Sequence, residues 1–496
     1  MNILPKSNAE LRELAWSTLM PGFPGVSVPS WAKRCFEAGL TSVCLYGDNV
    51  STSDQLRQFV AQIRLVSPGA LIAVDEEGGD VTRIHYREGS PYPGNAVLGR
   101  IDDLHVTRNV GAQVGQALTS LGINLDLAPD IDVNSNPNNP VIGTRSFGSD
   151  PRQVADHGVA WSEGLQSQGV GACVKHYPGH GDTADDSHLS LPTIDASLNM
   201  LRERELVPFA AAAKAGIAAI MSSHIVVKSV DPEVPATYSK SLLRDILRGD
   251  LGFTGVVISD ALDMEGARVE GGIPAGAVKA LKAGCDLLCL GTDSSFELLE
   301  ACVDAIERAV LDGDLLLEDL QASAGRIFAM RERFKLPTKA EPNASSLPTS
   351  GQIQSAFSGS KAAAKWFHEN PDFEVLRVES PASLAVGQVP WGPFAAATAE
   401  PEKGGPFIDS RTTTPGQLPS KPPTAKPLLI VGRLLHLEPK VTEAIRRWQK
   451  RGASILVVEM GWPSSSGDDI RALNTYGASR GVGRALLDFI SNACGR

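Results

Sequence analysis

The sequence predicts a (β/α)8 barrel of the TIM type followed by a smaller α/β domain. Short β-rich apolar runs alternate with amphipathic helical segments through residues 1–300, ionisable residues gather where those runs end, and the pattern fades after a helix ending near Phe334. The 496 residues exceed one ordinary domain, and a barrel alone absorbs about 250 or more. The expected division is a catalytic barrel over 1–335, a polar linker at 336–351 and a C-terminal α/β domain over 352–496.

Seven runs read as barrel strands: 42–46, 71–75, 123–128, 171–175, 218–222, 255–260 and 285–290. An eighth is assigned to the Thr18-Leu-Met stretch near the N-terminus. Segments 152–168, 201–215, 241–251 and 296–312 carry apolar residues at helical spacing and supply crossover helices. In the second domain strands are expected at 374–379, 427–431 and 454–460 and helices at 440–451 and 483–491, with an irregular Pro-, Thr- and Gly-rich loop at about 395–427.

Composition narrows the function. Fifty-seven acidic against 46 basic side chains give a net charge of −11 without any long basic run, which argues against nucleic acid or an anionic membrane as partner. The first twenty residues lack the pattern of a signal peptide, and no stretch has the roughly 18 uninterrupted apolar residues of a membrane helix. Seven cysteines, odd in number and set in apolar surroundings, read as buried reduced thiols of a cytoplasmic protein. Oligomeric state is left open.

In a barrel, catalytic groups sit where strands end and βα loops begin. Here those points read Asp75-Glu-Glu-Gly-Gly, Asp126-Leu-Ala-Pro-Asp130, Lys175-His176, Ser223-His224 and Ser259-Asp260. The densest is Val174-Lys-His-Tyr-Pro-Gly-His-Gly-Asp-Thr-Ala-Asp-Asp-Ser-His188, with three of the nine histidines. As a metal centre it would draw on His176, His180, His188, Asp182 and Asp186, but the spacings follow no tight ligand rule. No metal or other cofactor is expected. A solvated surface loop is the plainer alternative.

That run resembles the K-H-F-P-G-H-G-x-x-x-x-D-S-H loop of bacterial β-N-acetylglucosaminidases of glycoside hydrolase family 3, with Tyr177 for Phe. Gly255-Val-Val-Ile-Ser-Asp260-Ala-Leu-Asp-Met264 resembles the strand carrying that family's S-D-x-L-x-M nucleophile signature. Asp75-Glu-Glu-Gly-Gly-Asp-Val-Thr-Arg83 is similar to D-Q-E-G-G-R-V-x-R, and the stretch 134–148 to N-x-N-P-x-x-P-V-I-G-x-R-S-F-G. Pro235-Ala-Thr-Tyr-Ser239 resembles the loop after the Ser223-His224 strand. The likeness covers about residues 10–335. It implies Asp260 as nucleophile, Asp186 and His188 as an acid/base dyad, and Asp75, Arg83, Arg145, Lys175 and His176 as sugar-binding residues. Asp80 departs from the pattern, standing where the family has Arg.

The implied chemistry is coherent. A retaining glycosidase needs an ionised nucleophile and a second group that gives a proton to the leaving oxygen and then takes one from water. The loop holds no Glu, but an imidazole with an intrinsic pKa near 6.5 already titrates near working pH. Asp186 would orient His188 and stabilise its protonated form. Asp263, three residues beyond Asp260, is expected to support the next turn instead. An acid/base that is not a carboxylate also admits phosphate as acceptor, so a phosphorylase, or a β-glucosidase on the same scaffold, is the alternative to hydrolysis of terminal β-linked GlcNAc. A metal-dependent barrel hydrolase and a silent sugar-binding protein are readings of other classes. Gly477-Ala-Ser-Arg-Gly-Val-Gly483 mimics a dinucleotide fingerprint, but the thirteen residues after it cannot form the βαβ unit that fingerprint requires.

Overall fold

The computed structural model describes residues 8–183, 191–336, 346–380, 385–463 and 472–495. Packing sorts the chain into two compact units that interleave along the sequence: 1–76, 107–133 and 149–346 in the first, and 77–106, 134–148 and 347–496 in the second.

The first unit carries β1 (Leu19–Met20), β2 (Ser42–Leu45), β3 (Leu71–Val74), β4 (Leu125–Asp126), β5 (Gly171–Tyr177), β6 (Thr193–Ile194), β7 (Ala219–Ser222), β8 (Val226–Val227), β9 (Val256–Ile258) and β10 (Leu288–Cys289). Parallel pairing runs β2-β3-β4-β5-β7-β9, and β1 pairs parallel with β10. Two links close the ring. The Cys44 N–H donates to the Pro21 carbonyl at 2.9 Å, and Ile258 bridges in parallel to Leu287. The result is an eight-stranded parallel barrel that includes the Leu19–Met20 strand, with β6 and β8 as a separate pair. Strands covered on both faces read as continuous apolar runs rather than as alternation, which is why the sequence exposes them. Met20, Cys44, Ala73, Leu125, Cys173, Met221, Ile258 and Cys289 meet in one buried cluster.

Crossover helices follow their local signals. Pro151–Gln166 begins with Pro at its first position behind Asp150, whose carboxylate accepts from the N–H groups of Arg152 and Gln153. Phe296–Leu311 is capped by Ser295. The helix expected over 201–215 is two, Leu198–Glu203 and Leu206–Lys214. Pro208 cannot donate to, and its ring crowds, the carbonyl four residues back at Arg204, where the first helix stops. The 241–251 helix forms with wide π-type turns over Ser241–Asp250.

The second unit holds a five-stranded parallel sheet in the order β12-β11-β13-β14-β15, from β11 (Glu374–Val378), β12 (Arg411–Thr413), β13 (Leu428–Gly432), β14 (Ile455–Glu459) and β15 (Ala472–Asn474). The stretch expected to be irregular at 395–427 contains most of the helix Gly392–Ala399, short turns of helix and β12. β12 is Arg-Thr-Thr, with no apolar alternation to betray it; its pairing with Leu376 to Val378 makes it a strand. The helix Ser360–Glu369 and β15 were likewise not anticipated. Val97, from the segment 77–106, packs into the same core as Trp366, Phe373, Phe394 and Leu429.

The glycine-rich run at 477–483 leads into the helix Arg480–Ala493, capped by Ser479. A Cβ on Gly483 would fall 2.0 Å from the Gly392 carbonyl oxygen, so glycine serves backbone packing there. None of the seven cysteines is in a disulfide, and six are buried. Burial pushes the Cys285 and Cys302 thiols up to about 12, which suppresses the reactive thiolate. Among the described residues no helix is long and apolar enough to cross a membrane.

Candidate active site

The carboxyl ends of the barrel strands bring three of the anticipated residues into paired contacts. Lys175, on β5, donates from Nζ to Asp75 Oδ1 at 2.7 Å, with the lysine side chain 3% and the aspartate 16% exposed. Asp75 follows β3, so the pair reaches past the intervening β4. His176, next along β5, places Nδ1 2.7 Å from Asp132 Oδ2. Donation from Nδ1–H to that carboxylate fixes the ring and leaves Nε2 as the second functional atom.

Asp132 and its neighbour Asp130 were not singled out as site residues. Beyond β4 the chain keeps pace with β5: Lys175 N–H donates to the Pro129 carbonyl, and Ile131 N–H donates to the Lys175 carbonyl at 2.8 Å. That extension carries both aspartates to His176. Asp132 Oδ1 also accepts the His180 N–H at 2.7 Å, and Asp130 Oδ1 accepts the Asp132 N–H at 2.9 Å. The available signal was an Asp-Ile-Asp step directly after a strand. Asp130, Asp132 and His176 offer ligand atoms within 4.8 Å of one another, a set able to hold a cation. His180 Nδ1 lies 2.7 Å from the Thr183 hydroxyl, while Asp182 pairs with Arg204.

Asp126, at the end of β4, accepts the Glu76 N–H at 2.9 Å. Burial pushes its carboxyl well above the usual carboxylate range, against the opposing pull of that hydrogen bond and of Lys175.

Asp260 stands two residues beyond β9, half-buried, with Oδ1 accepting the Ala261 N–H at 2.8 Å. The adjacent backbone is braced from β7: His224, fully buried, donates from Nε2 to the Ala261 carbonyl at 3.0 Å, and its Nδ1 lies 3.0 Å from the Thr237 hydroxyl. Asp263 accepts the Thr292 N–H and lies against Gly291, where a Cβ would be 1.9 Å from its carboxyl carbon. Its carboxylate thus supports the turn after β10. Asp186 and His188 lie outside the described residues.

Arg83 and Arg145 belong to the second unit. Arg145 forms a bidentate pair with Glu77, Nε to Oε2 at 2.9 Å and Nη2 to Oε1 at 2.7 Å, with both side chains almost wholly buried. The planar fork matches both carboxylate oxygens, which makes this a rigid pairing. Arg83 donates to the Ala385 carbonyl at 2.7 Å. Asp80 accepts from the Thr144 hydroxyl at 2.8 Å and the Ala478 N–H at 2.9 Å. A carboxylate here therefore fastens two loops of its unit.

The family model described as the glycosyl hydrolase family 3 N-terminal domain matches residues 31–330. A β-hexosaminidase of Neisseria meningitidis is 39% identical over 279 residues, 54% of this chain and 76% of its own length. One from Chromobacterium violaceum is 41% identical over 254 residues, 50% of this chain and 70% of its own. Among solved structures, a family 3 β-N-acetylglucosaminidase from Paenibacillus sp. FPU-7 superposes with a TM-score of 0.82 at 26% identity, covering 98% of this chain and 96% of that one.

Proposed function

From its place in glycosyl hydrolase family 3, to which the chain belongs, we propose that it is a retaining exo-β-N-acetylglucosaminidase. The observation that carries this reading is the set of groups at one end of the barrel: Asp260 after β9, the Lys175–Asp75 pair and the His176–Asp132 pair. Family relatives that are β-hexosaminidases support the choice of sugar.

Asp260 attacks the anomeric carbon as the glycosidic bond breaks, and His188, stabilised by Asp186, gives its proton to the leaving oxygen. The covalent glycosyl-enzyme then opens as His188 takes a proton from the incoming water. Asp75, Lys175 and His176 hold the sugar hydroxyls, with Arg83 and Arg145 as further donors. The Lys175 ammonium, hydrogen-bonded to Asp75 Oδ1, fixes the orientation of that carboxylate. The substrates proposed are GlcNAc–MurNAc fragments recycled from the cell wall in the cytoplasm, with chitobiose as the competitor.

Asp260→Ala tests the nucleophile. Turnover of an aryl β-N-acetylglucosaminide should be lost, and near-normal activity would overturn the assignment. The same assay with the aryl β-glucoside, each with and without inorganic phosphate, separates N-acetylglucosaminidase from glucosidase and hydrolysis from phosphorolysis.

A further inference from the structure

The second unit has a feature that the glycosidase chemistry does not use. Its sheet reverses direction of growth at β11: the chain leaves β11 on one side to form β12 and returns on the other to form β13. In open parallel sheets such a reversal sends successive connections to opposite faces and leaves a crevice outside the carboxyl ends, the usual place for a ligand. A cavity of about 1500 Å³ lies there. Glu379 and Ser380 following β11, Thr412 of β12 and Arg433 following β13 line it, against an apolar wall that includes Trp391 and Phe394.

Arg433 is the exceptional group in this wall. Its guanidinium stacks 4.8 Å from the centre of the Trp391 ring, and among the described residues it forms no hydrogen bond or ion pair. Guanidinium offers five N–H donors and does not give up its charge in proteins. The carboxylates whose field reaches it are engaged elsewhere. Glu379 is taken by Arg377 and by Trp391 Nε1 at 3.1 Å. Glu459 accepts three backbone N–H groups, and Asp80 is held by Thr144 and Ala478. Nearby negative charge thus makes the arginine tolerable without saturating its donors. Arg377, 5.0 Å from the same ring, flanks Trp391 as well, which fixes the indole as a platform.

We propose that this cavity binds a small oxyanion, a carboxylate or phosphate carried on a sugar-sized body, with Arg433 as its anchor. The planar fork of Arg433 meets two anion oxygens, the hydroxyls of Thr412 and Thr414 at the rim supply further donors, and the aromatic wall packs against the body. Among the described residues, none of those assigned to the Asp260 chemistry lines the cavity, so its test reads binding rather than turnover.

Isothermal titration of the full chain with glucose 6-phosphate and with glucuronate distinguishes the two headgroups, with glucose as the neutral control. Binding of either anion but not of glucose supports the proposal and names the headgroup. Arg433→Gln should weaken that binding about tenfold or more, the scale of a charged hydrogen bond, with aryl-glycoside turnover measured without the anion unchanged. Arg433→Lys, which keeps charge without the fork, should fall between. Should Arg433→Gln fail to fold, the rim double variant Thr412→Val/Thr414→Val is expected to weaken binding severalfold. Absence of binding by both anions at millimolar concentration, or affinity unaltered in the folded variant used, overturns the proposal.

Discussion

At the mouth of the barrel Lys175 on β5 reaches past β4 to meet Asp75, whereas at the carboxyl edge of the second sheet the Arg433 guanidinium after β13 meets no acceptor among the described residues, although Glu379 follows the neighbouring β11. Both places are ends of parallel strands, where backbone geometry puts side chains from adjacent strands at one edge. The difference lies in closure. A closed ring points its strand ends at a common centre, so charges from non-neighbouring strands find each other. An open sheet spreads its ends around a crevice, and a charge there can be met by local backbone instead, as Glu459 is by the N–H groups of Leu434, Leu435 and Gly461.

The sharpest way to break this contrast is Lys175→Met. It removes the cationic partner of Asp75 at a site with little water, and about 3 kcal/mol or more of stability should be lost. Aryl-glycoside kcat/KM should fall by about two orders of magnitude, as for a misplaced binding group. Denaturant titration and steady-state kinetics measure the two; an Asp75 that tolerates the loss would mean that the barrel mouth is as open as the second sheet.

Glu459→Gln probes the other side. The amide keeps one acceptor oxygen where three N–H groups converge, so a loss of about 2 kcal/mol is expected, read in the same titration, with turnover of the aryl glycoside essentially retained.

The effect most diagnostic in sign belongs to Asp126→Asn. Burial raises the folded-state pKa of Asp126 above its unfolded value, so the native state holds a proton that the unfolded chain releases above about pH 4. The wild type therefore loses stability from this group as pH rises from about 4 through the folded pKa. Asparagine can still accept the Glu76 N–H and has no proton to lose. Across that window the variant should gain on the wild type by about 1.4 kcal/mol for each step of one in pH. Parallel melting curves at pH 4 and pH 7 check it.

The barrel was legible because strands buried on both faces leave long apolar runs, and because Asp75, Lys175 and Asp260 fall where those runs stop. His176 was legible as a residue but not in its partnership. Asp132 lies forty-four positions earlier, and only the extension of the chain past β4 beside β5 brings the two together. Arg145 has the same history with Glu77, sixty-eight residues apart. Arg-Thr-Thr at β12 has no periodicity of its own, because its strand character comes from β11. Asp80 stood out as a departure from the family pattern, but its hydrogen bonds to Thr144 and Ala478 are visible only once the chain is folded.

The interleaving of the two units has a consequence for how such a chain can be cut or recombined. The second unit takes residues 77–106 and 134–148 from within the barrel's stretch of sequence, and Val97 sits in its hydrophobic core. Ending the chain at 346 would leave those inserted segments with their apolar side chains stripped of a core. Grafting 347–496 alone onto another barrel would leave that core without Val97 and without the Asp80 and Arg83 contacts that bind Ala478 and Ala385. Residues 77–106, 134–148 and 347–496 pack as one unit, so a viable fusion or split site belongs at an exposed turn within one unit rather than at the junction that looks like a linker.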